Sequence, residues 1–258
     1  MLLTNVETSS KFLEATSKAV TTYDKGFVFS ALYGSQNYGL ATPTSDVDVK
    51  VAFLPSPQEV LLTAKRQAYT HTENGSTDNT VLAKDLRDVF AEFYKQNLNF
   101  LEVLATPYFF TLDSASTKLF EELREHSNDV ARYYERGFYL CTCGLFNKLN
   151  KDFELGRYDH KKLVFGLYLR DFVNHYYNGA EFNRCFINPN RQFYLDVKQK
   201  GIKYDWAMEL WSDAKSVMDE YFQKANQMST TKNDAVKKWM DEMLYDFTWK
   251  YVVKEGCK

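Results

Sequence analysis

The first hundred positions alternate apolar and polar residues in short runs, and the remainder spaces its apolar residues by threes and fours. Gly26 to Tyr33 (Gly-Phe-Val-Phe-Ser-Ala-Leu-Tyr) is rich in β-branched and aromatic side chains and stops at Gly34. This predicts a buried strand that runs into a turn. Asp46, Asp48 and Lys50 alternate with Val47, Val49, Val51 and Phe53, so a second strand carries its polar side chains on one face and its apolar ones on the other. Pro55-Ser56-Pro57 ends that strand, and Gln58 to Ala64 forms a short helix. Arg66 to Glu73 and Asn79 to Ala83 bracket the turn Asn74-Gly75-Ser76-Thr77-Asp78, the pattern of an antiparallel pair. Ahead of the first strand, Glu7 to Tyr23 sets Phe12, Leu13, Ala19 and Val20 on one face with Thr16 between them, a helix that packs behind the sheet. A further helix is expected over Leu86 to Gln96.

From Ser114 the period is helical. Thr117 to Glu125, Val130 to Asn150, Lys161 to Asn178, Tyr204 to Gln227 and Asp234 to Val253 all read as amphipathic helices. Asn178 to Arg191, with Gly179, Asn188, Pro189 and Asn190, reads as a loop. The expected fold class is α/β (α+β): a core with a mixed sheet over residues 1–110, then a helical domain over 111–258. At 258 residues the chain is long enough for a sizeable core.

Composition narrows the partners only slightly. The net charge of −2 does not advertise nucleic-acid binding, so any such contact must come from a local patch. The eighteen Tyr and twenty Phe fall mostly among apolar neighbours at helical spacing, which suits packing better than base stacking. Cys141, Cys143, Cys185 and Cys257 have no metal-ligand spacing. His160 and His175 stand alone and read as polar surface or core residues rather than bases. With no long apolar run and no basic-then-apolar start, the chain is expected to be cytoplasmic and not membrane-bound.

Chemistry concentrates between Gly34 and Asp48. Gly34 lets the backbone approach a ligand, Ser35 adds a hydroxyl, and a helix starting near Gln36 would aim amides at an anion. Asp46 and Asp48, two residues apart on a strand, point into one small volume. Carboxylates so placed repel one another unless a cation joins them, and hard oxygen ligands suit Mg²⁺ or Mn²⁺.

The run Tyr33-Gly34-Ser35-x-x-Tyr38-Gly39-Leu40-Ala41-x-x-x-Ser45-Asp46-x-Asp48 resembles the signature of the DNA polymerase β-like nucleotidyltransferase superfamily, in its predicted nucleotidyltransferase branch, some members of which are linked to RNA repair. Three further segments resemble that branch: Lys84-Asp85-Leu86-Arg87, Asn97 followed by Leu101-Glu102-Val103-Leu104, and Lys161-Lys162 with Tyr168-Leu169-Arg170. The resemblance implies transfer of a nucleoside monophosphate from an NTP to an acceptor hydroxyl with release of pyrophosphate. Asp46 and Asp48 would be the metal ligands and Gly34 and Ser35 the phosphate grip. It also implies a third carboxylate from a later strand, for which Glu73, Asp78 and Asp85 are the local candidates; Asp85 is equally placed to cap the next helix. Glu102 reads as a satisfied packing acid or a metal ligand. Lys161, Lys162 and Arg170 would hold triphosphate or a nucleic-acid backbone, unless the lysines are solvated and Arg170 is tied to Asp171 or Asp159. The acceptor implied is an RNA, tRNA-like end. Nucleotidylation of a protein or small molecule, and a silent nucleotide-binding module, are the alternatives.

Overall fold

The computed structural model describes residues 6–23, 26–42, 45–62, 68–72 and 80–256. Its centre is a mixed five-stranded sheet in the order β3-β4-β2-β1-β5. β1 (Phe27–Tyr33) and β2 (Asp48–Phe53) are antiparallel, with Tyr33 opposite Asp48 and Ala31 opposite Lys50. β4 (Thr80–Asp85) runs parallel to β2, with Lys50 beside Leu82. β3 (Ala68–Thr72) and β5 (Phe109–Thr111) close the two edges in antiparallel fashion. A parallel pair needs a crossover, and the stretch containing α2 (Pro57–Leu61) and β3 supplies it.

Strand alternation sorts the sheet into two faces. On one, Val49, Val51 and Phe53 pack with Phe12, Ala15 and Ala19 of α1 (Val6–Tyr23). A buried hydrogen bond of 2.8 Å between Thr16 and Ser30 ties that helix to β1. Leu13, expected on the buried face of α1, is exposed, and Ala15 takes its place. The other face carries Asp48, Lys50 and Ala52 and looks toward the rest of the molecule.

That second face joins a larger core, which runs without a break from Phe29 and Ala31 through Phe90 and Phe93 of α3 (Leu86–Tyr94) and Leu98 and Leu101 of α4 (Leu98–Leu101) to the later helices. α5 (Ser114–Glu125), α7 (Glu135–Glu154), α8 (His160–Tyr177) and α10 (Tyr204–Gln227) supply Phe120, Phe146, Tyr168 and Trp211 to it. α11 (Asp234–Gly256) returns to pack on α2, α3 and α5. The chain thus crosses residue 110 inside one apolar cluster. The helix expected over Val130 to Asn150 is two: α6 (Ser127–Ala131) ends before Arg132, and α7 starts at Glu135. Tyr134 fills the gap, close enough to Gly137 that a Cβ there would meet its ring at 2.2 Å. Beyond the expected loop, Arg191 to Lys200 forms a helix, α9, that the apolar pattern did not announce.

Candidate nucleotide and metal site

β1 ends at Tyr33, and Gly34 turns the chain with φ at +77°, a left-handed conformation that favours glycine. Gly34 to Gln36 then form a single 3₁₀ turn. The Asn37 amide donates to the Gly34 carbonyl at 2.9 Å, and the Leu40 amide donates to the Ser35 carbonyl at 2.9 Å. The helix expected from Gln36 is therefore this one turn. The Tyr38 ring, two residues on, stacks on Tyr168 of α8 with centroids 4.3 Å apart.

β2 begins where the loop from the turn ends, which sets the turn and the two aspartates side by side. Gly34, Ser35, Ser45, Asp46 and Asp48 all line one cavity of about 430 Å³, together with Tyr33, Lys50, Leu82, Asn99, Phe100, Glu102, Lys161 and Lys198. Burial raises the Asp48 pKa to about 6, with the Asp46 charge as the second cause. Lys50 and a hydrogen bond from Thr80 pull it the other way. The carboxylate oxygens of the pair suit a hard divalent cation. Among the described residues no third His, Cys, Asp or Glu joins them in a ligand cluster. Two carboxylates, with water and substrate phosphates for the remainder, fit the way Mg²⁺ is commonly held.

Lysines line the same cavity. Lys198, in the last turn of α9, donates to the Leu40 carbonyl at 2.7 Å and to Ser45 Oγ at 3.3 Å. Burial lowers its pKa, the charge of Lys161 lowers it further, and Asp46 raises it. The two ammonium groups therefore sit within interaction range of each other, and that of Lys198 within range of Asp46. Below them Lys50 is buried against Glu102, Nζ to Oε1 3.3 Å, with side chains 4% and 1% exposed. Lys50 also donates to the Asn99 carbonyl and lies over the Tyr33 ring, 3.3 Å from its centroid. Burial drops its pKa to about 8 against the opposing pull of Glu102.

The Gly34–Ser35 turn, an aspartate pair and three lysines line one cavity, a set suited to phosphate oxygens. The model of the RNA repair pathway DNA polymerase beta family, RlaP, matches residues 8–140, just over half of the chain. The chain belongs to that family. Membership makes it nucleotidyltransferase-like and covers the turn, both aspartates, Lys50 and Glu102. No curated protein matches the chain. Among solved structures, a nucleotidyltransferase-like protein from Exiguobacterium sibiricum 255-15 is similar at 13% identity, covering 83% of this chain and 74% of that one, with a TM-score of 0.32.

Three of the residues expected at the site lie elsewhere. Asp85 sits opposite Phe53, on the face that α1 covers, and is fully buried. It caps α3 by accepting from the Arg87 amide at 2.9 Å and pairs with the Arg87 guanidinium at 2.6 Å. Both oxygens are thus committed to structure. Lys162 pairs with Asp152 at 2.6 Å, away from the cavity that Lys161 lines. Successive residues on a helix point about 100° apart, so one lysine of the pair faces in and the other cannot. Arg170 is held by Asp171 at 2.7 Å and Asp213 at 2.8 Å and does not reach the cavity. Glu73 and Asp78 lie outside the described residues.

Two cavity residues went unread at sequence level. Lys198 lies on an unannounced helix more than 150 positions from the turn it touches, and no local signal marks it. Lys50 was visible as the third polar residue of the Asp46, Asp48 strand face, but its pairing with Glu102 crosses from β2 to the 3₁₀ turn Glu102–Leu104.

Proposed function

We propose that this chain is a metal-dependent nucleotidyltransferase that joins a nucleoside monophosphate from an NTP to an acceptor hydroxyl and releases pyrophosphate. The observation that carries this reading is the placement of Asp46 and Asp48 in one cavity wall with the Gly34–Ser35 turn, and of Lys161 and Lys198 in the same cavity. The acceptor that fits the family is an RNA end, tRNA-like in kind.

Each group has a part that follows from its position. The backbone of the Gly34–Ser35 turn and the Ser35 hydroxyl seat the outer phosphates. Lys161 and Lys198 neutralise the charge that builds on the leaving pyrophosphate. Asp46 and Asp48 would hold Mg²⁺ or Mn²⁺, which when bound supplies Lewis-acid stabilisation of the phosphoryl oxygens and acidifies the attacking hydroxyl. The chain's own contribution is positioning and charge placement, and no covalent nucleophile is called for.

Incubation of the protein with each α-labelled NTP, Mg²⁺ and either total RNA or total protein tests the reading. Label should enter RNA, and chelation or Asp48→Ala should abolish its entry. Label entering protein alone would replace the RNA acceptor with a polypeptide. Absence of label in every pool, with NTP still bound, would leave a nucleotide-binding module.

A further inference from the structure

Glu102 has no place in the chemistry just described, yet it is the point at which the parts of the site are tied together. Its carboxylate is 1% exposed and takes the Lys50 ammonium on Oε1. Oε2 has no close hydrogen-bond partner, and the Tyr38 hydroxyl and Gly34 amide act on the carboxylate as looser donors. Its backbone carbonyl accepts from Asn37 Nδ2 at 3.1 Å. One residue thus touches the start, middle and end of the turn that spans Gly34 to Tyr38. Through Lys50 it is also joined to β2, two residues beyond Asp48.

The opposite side of the turn is set by Asp48 itself, since Gly34 lies against Asp48 Oδ2 with room for no larger residue without a shift. Gly34 thus neighbours two carboxylates, Asp48 and Glu102, both of which line the cavity. Gln36 Nε2 also ties the turn to the Asp46 carbonyl at 3.4 Å, and the distance from turn to aspartates that these contacts set is the span a phosphate chain must bridge.

We propose that Glu102 is a positioning residue: anchored by Lys50, it holds the Gly34–Tyr38 turn at the distance from Asp48 that a bound triphosphate requires. This rests on the nucleotidyl-transfer reading for its purpose but not for its geometry. Removing Glu102 alone would strand a buried ammonium and endanger folding, so the test compares two double variants that both lack that charge. In Lys50→Met/Glu102→Leu, residue 102 is apolar. In Lys50→Met/Glu102→Gln, it still offers an acceptor to Gly34 and Tyr38.

Hydrogen exchange of the Asn37, Tyr38 and Leu40 amides, which close the turn, reads the clamp directly. Exchange should be about tenfold faster in the leucine variant and near wild type in the glutamine variant, with β1 amides unchanged in both. Equal protection of the turn in the two variants would overturn the proposal, because a packing role is filled by leucine. Should the leucine variant not fold, Tyr38→Phe keeps the ring and removes one donor. It should speed turn exchange about threefold, and no change there would overturn the proposal as well. Affinity for a non-hydrolysable ATP analogue should fall about tenfold in the leucine variant while Mn²⁺ affinity stays constant. Should the wild type bind no nucleotide, the transfer reading fails alone, and the exchange data still decide the clamp.

Discussion

Gly34 and Asp48 face each other so closely that a Cβ on the glycine would stand 3.1 Å from Asp48 Oδ2. The backbone there has φ +77°, which costs an L-residue about 1–2 kcal/mol. Gly34→Ala should therefore lower stability by about that amount and reduce nucleotide incorporation by at least about tenfold, since the methyl also pushes on the Asp48 oxygen proposed to hold the metal. Thermal melts and incorporation assays check the two effects separately. Unchanged incorporation would remove the turn from the site.

The Asp48 pKa, raised to about 6 by burial and by Asp46, gives a pH dependence whose direction is fixed. The native state holds a proton that the unfolded chain has already lost between about pH 4 and pH 6, so stability falls as pH rises through that window. Above it the full cost of the ionised group is present, on the order of 2–3 kcal/mol. Metal-free Asp48→Asn should be more stable than wild type at pH 8 and lose that advantage by pH 4. Denaturant melts at the two values decide it. Cation affinity should weaken as pH drops below about 6, because the proton and the metal compete for one oxygen pair.

Lys198→Ala and Lys161→Ala should each weaken NTP binding about tenfold, the loss of one charge-assisted contact. Lys162→Ala and Arg170→Ala should leave it unchanged. Arg170→Ala should instead destabilise the fold by roughly 2 kcal/mol, because it leaves the half-buried Asp171 with one partner fewer. Equilibrium titration with a fluorescent ATP analogue separates the two pairs of variants, and a tenfold loss in Lys162→Ala would return that residue to the nucleotide.

Asp85→Asn should melt early and still transfer. It loses the charge that pairs with Arg87 and weakens the cap of α3, a cost on the order of 1–2 kcal/mol. A folded Asp85→Asn variant without activity would make this acid catalytic despite its burial.

Much of this arrangement is written locally. The Gly34-Ser35 pair, the alternation of Asp48 to Phe53 and the paired strands after it depend on neighbours in sequence, so spacing alone predicts them, although the strand starts at Asp48 and leaves Asp46, expected on it, in the loop just ahead. Helix α10 lies where its apolar period puts it, Tyr204 to Gln227. What was not legible depends on long-range partners. Lys161 and Lys162 are equivalent as letters, and only the docking of α8 against Tyr38 decides that the first faces the cavity. Asp85 has the residue type of a third ligand, but the parallel register that puts it beside Phe53 is a property of the assembled sheet. Arg170 answers to Asp213, 43 positions away, and Lys198 to Leu40, 158 positions away.

The ring of Tyr38 rests on Tyr168, with Phe165 and Phe186 at 6.2 Å on either hand. All three lie beyond residue 140, where the family match stops. The loop that bears the signature thus borrows its floor from a part of the chain beyond the family match. A graft of residues 8–140 onto a relative's helices would carry every acid and every glycine of the motif, and would still inherit its nucleotide loop's shape from the recipient's aromatic residues. Transplanted activity should track the fit of those rings rather than the identity of the motif.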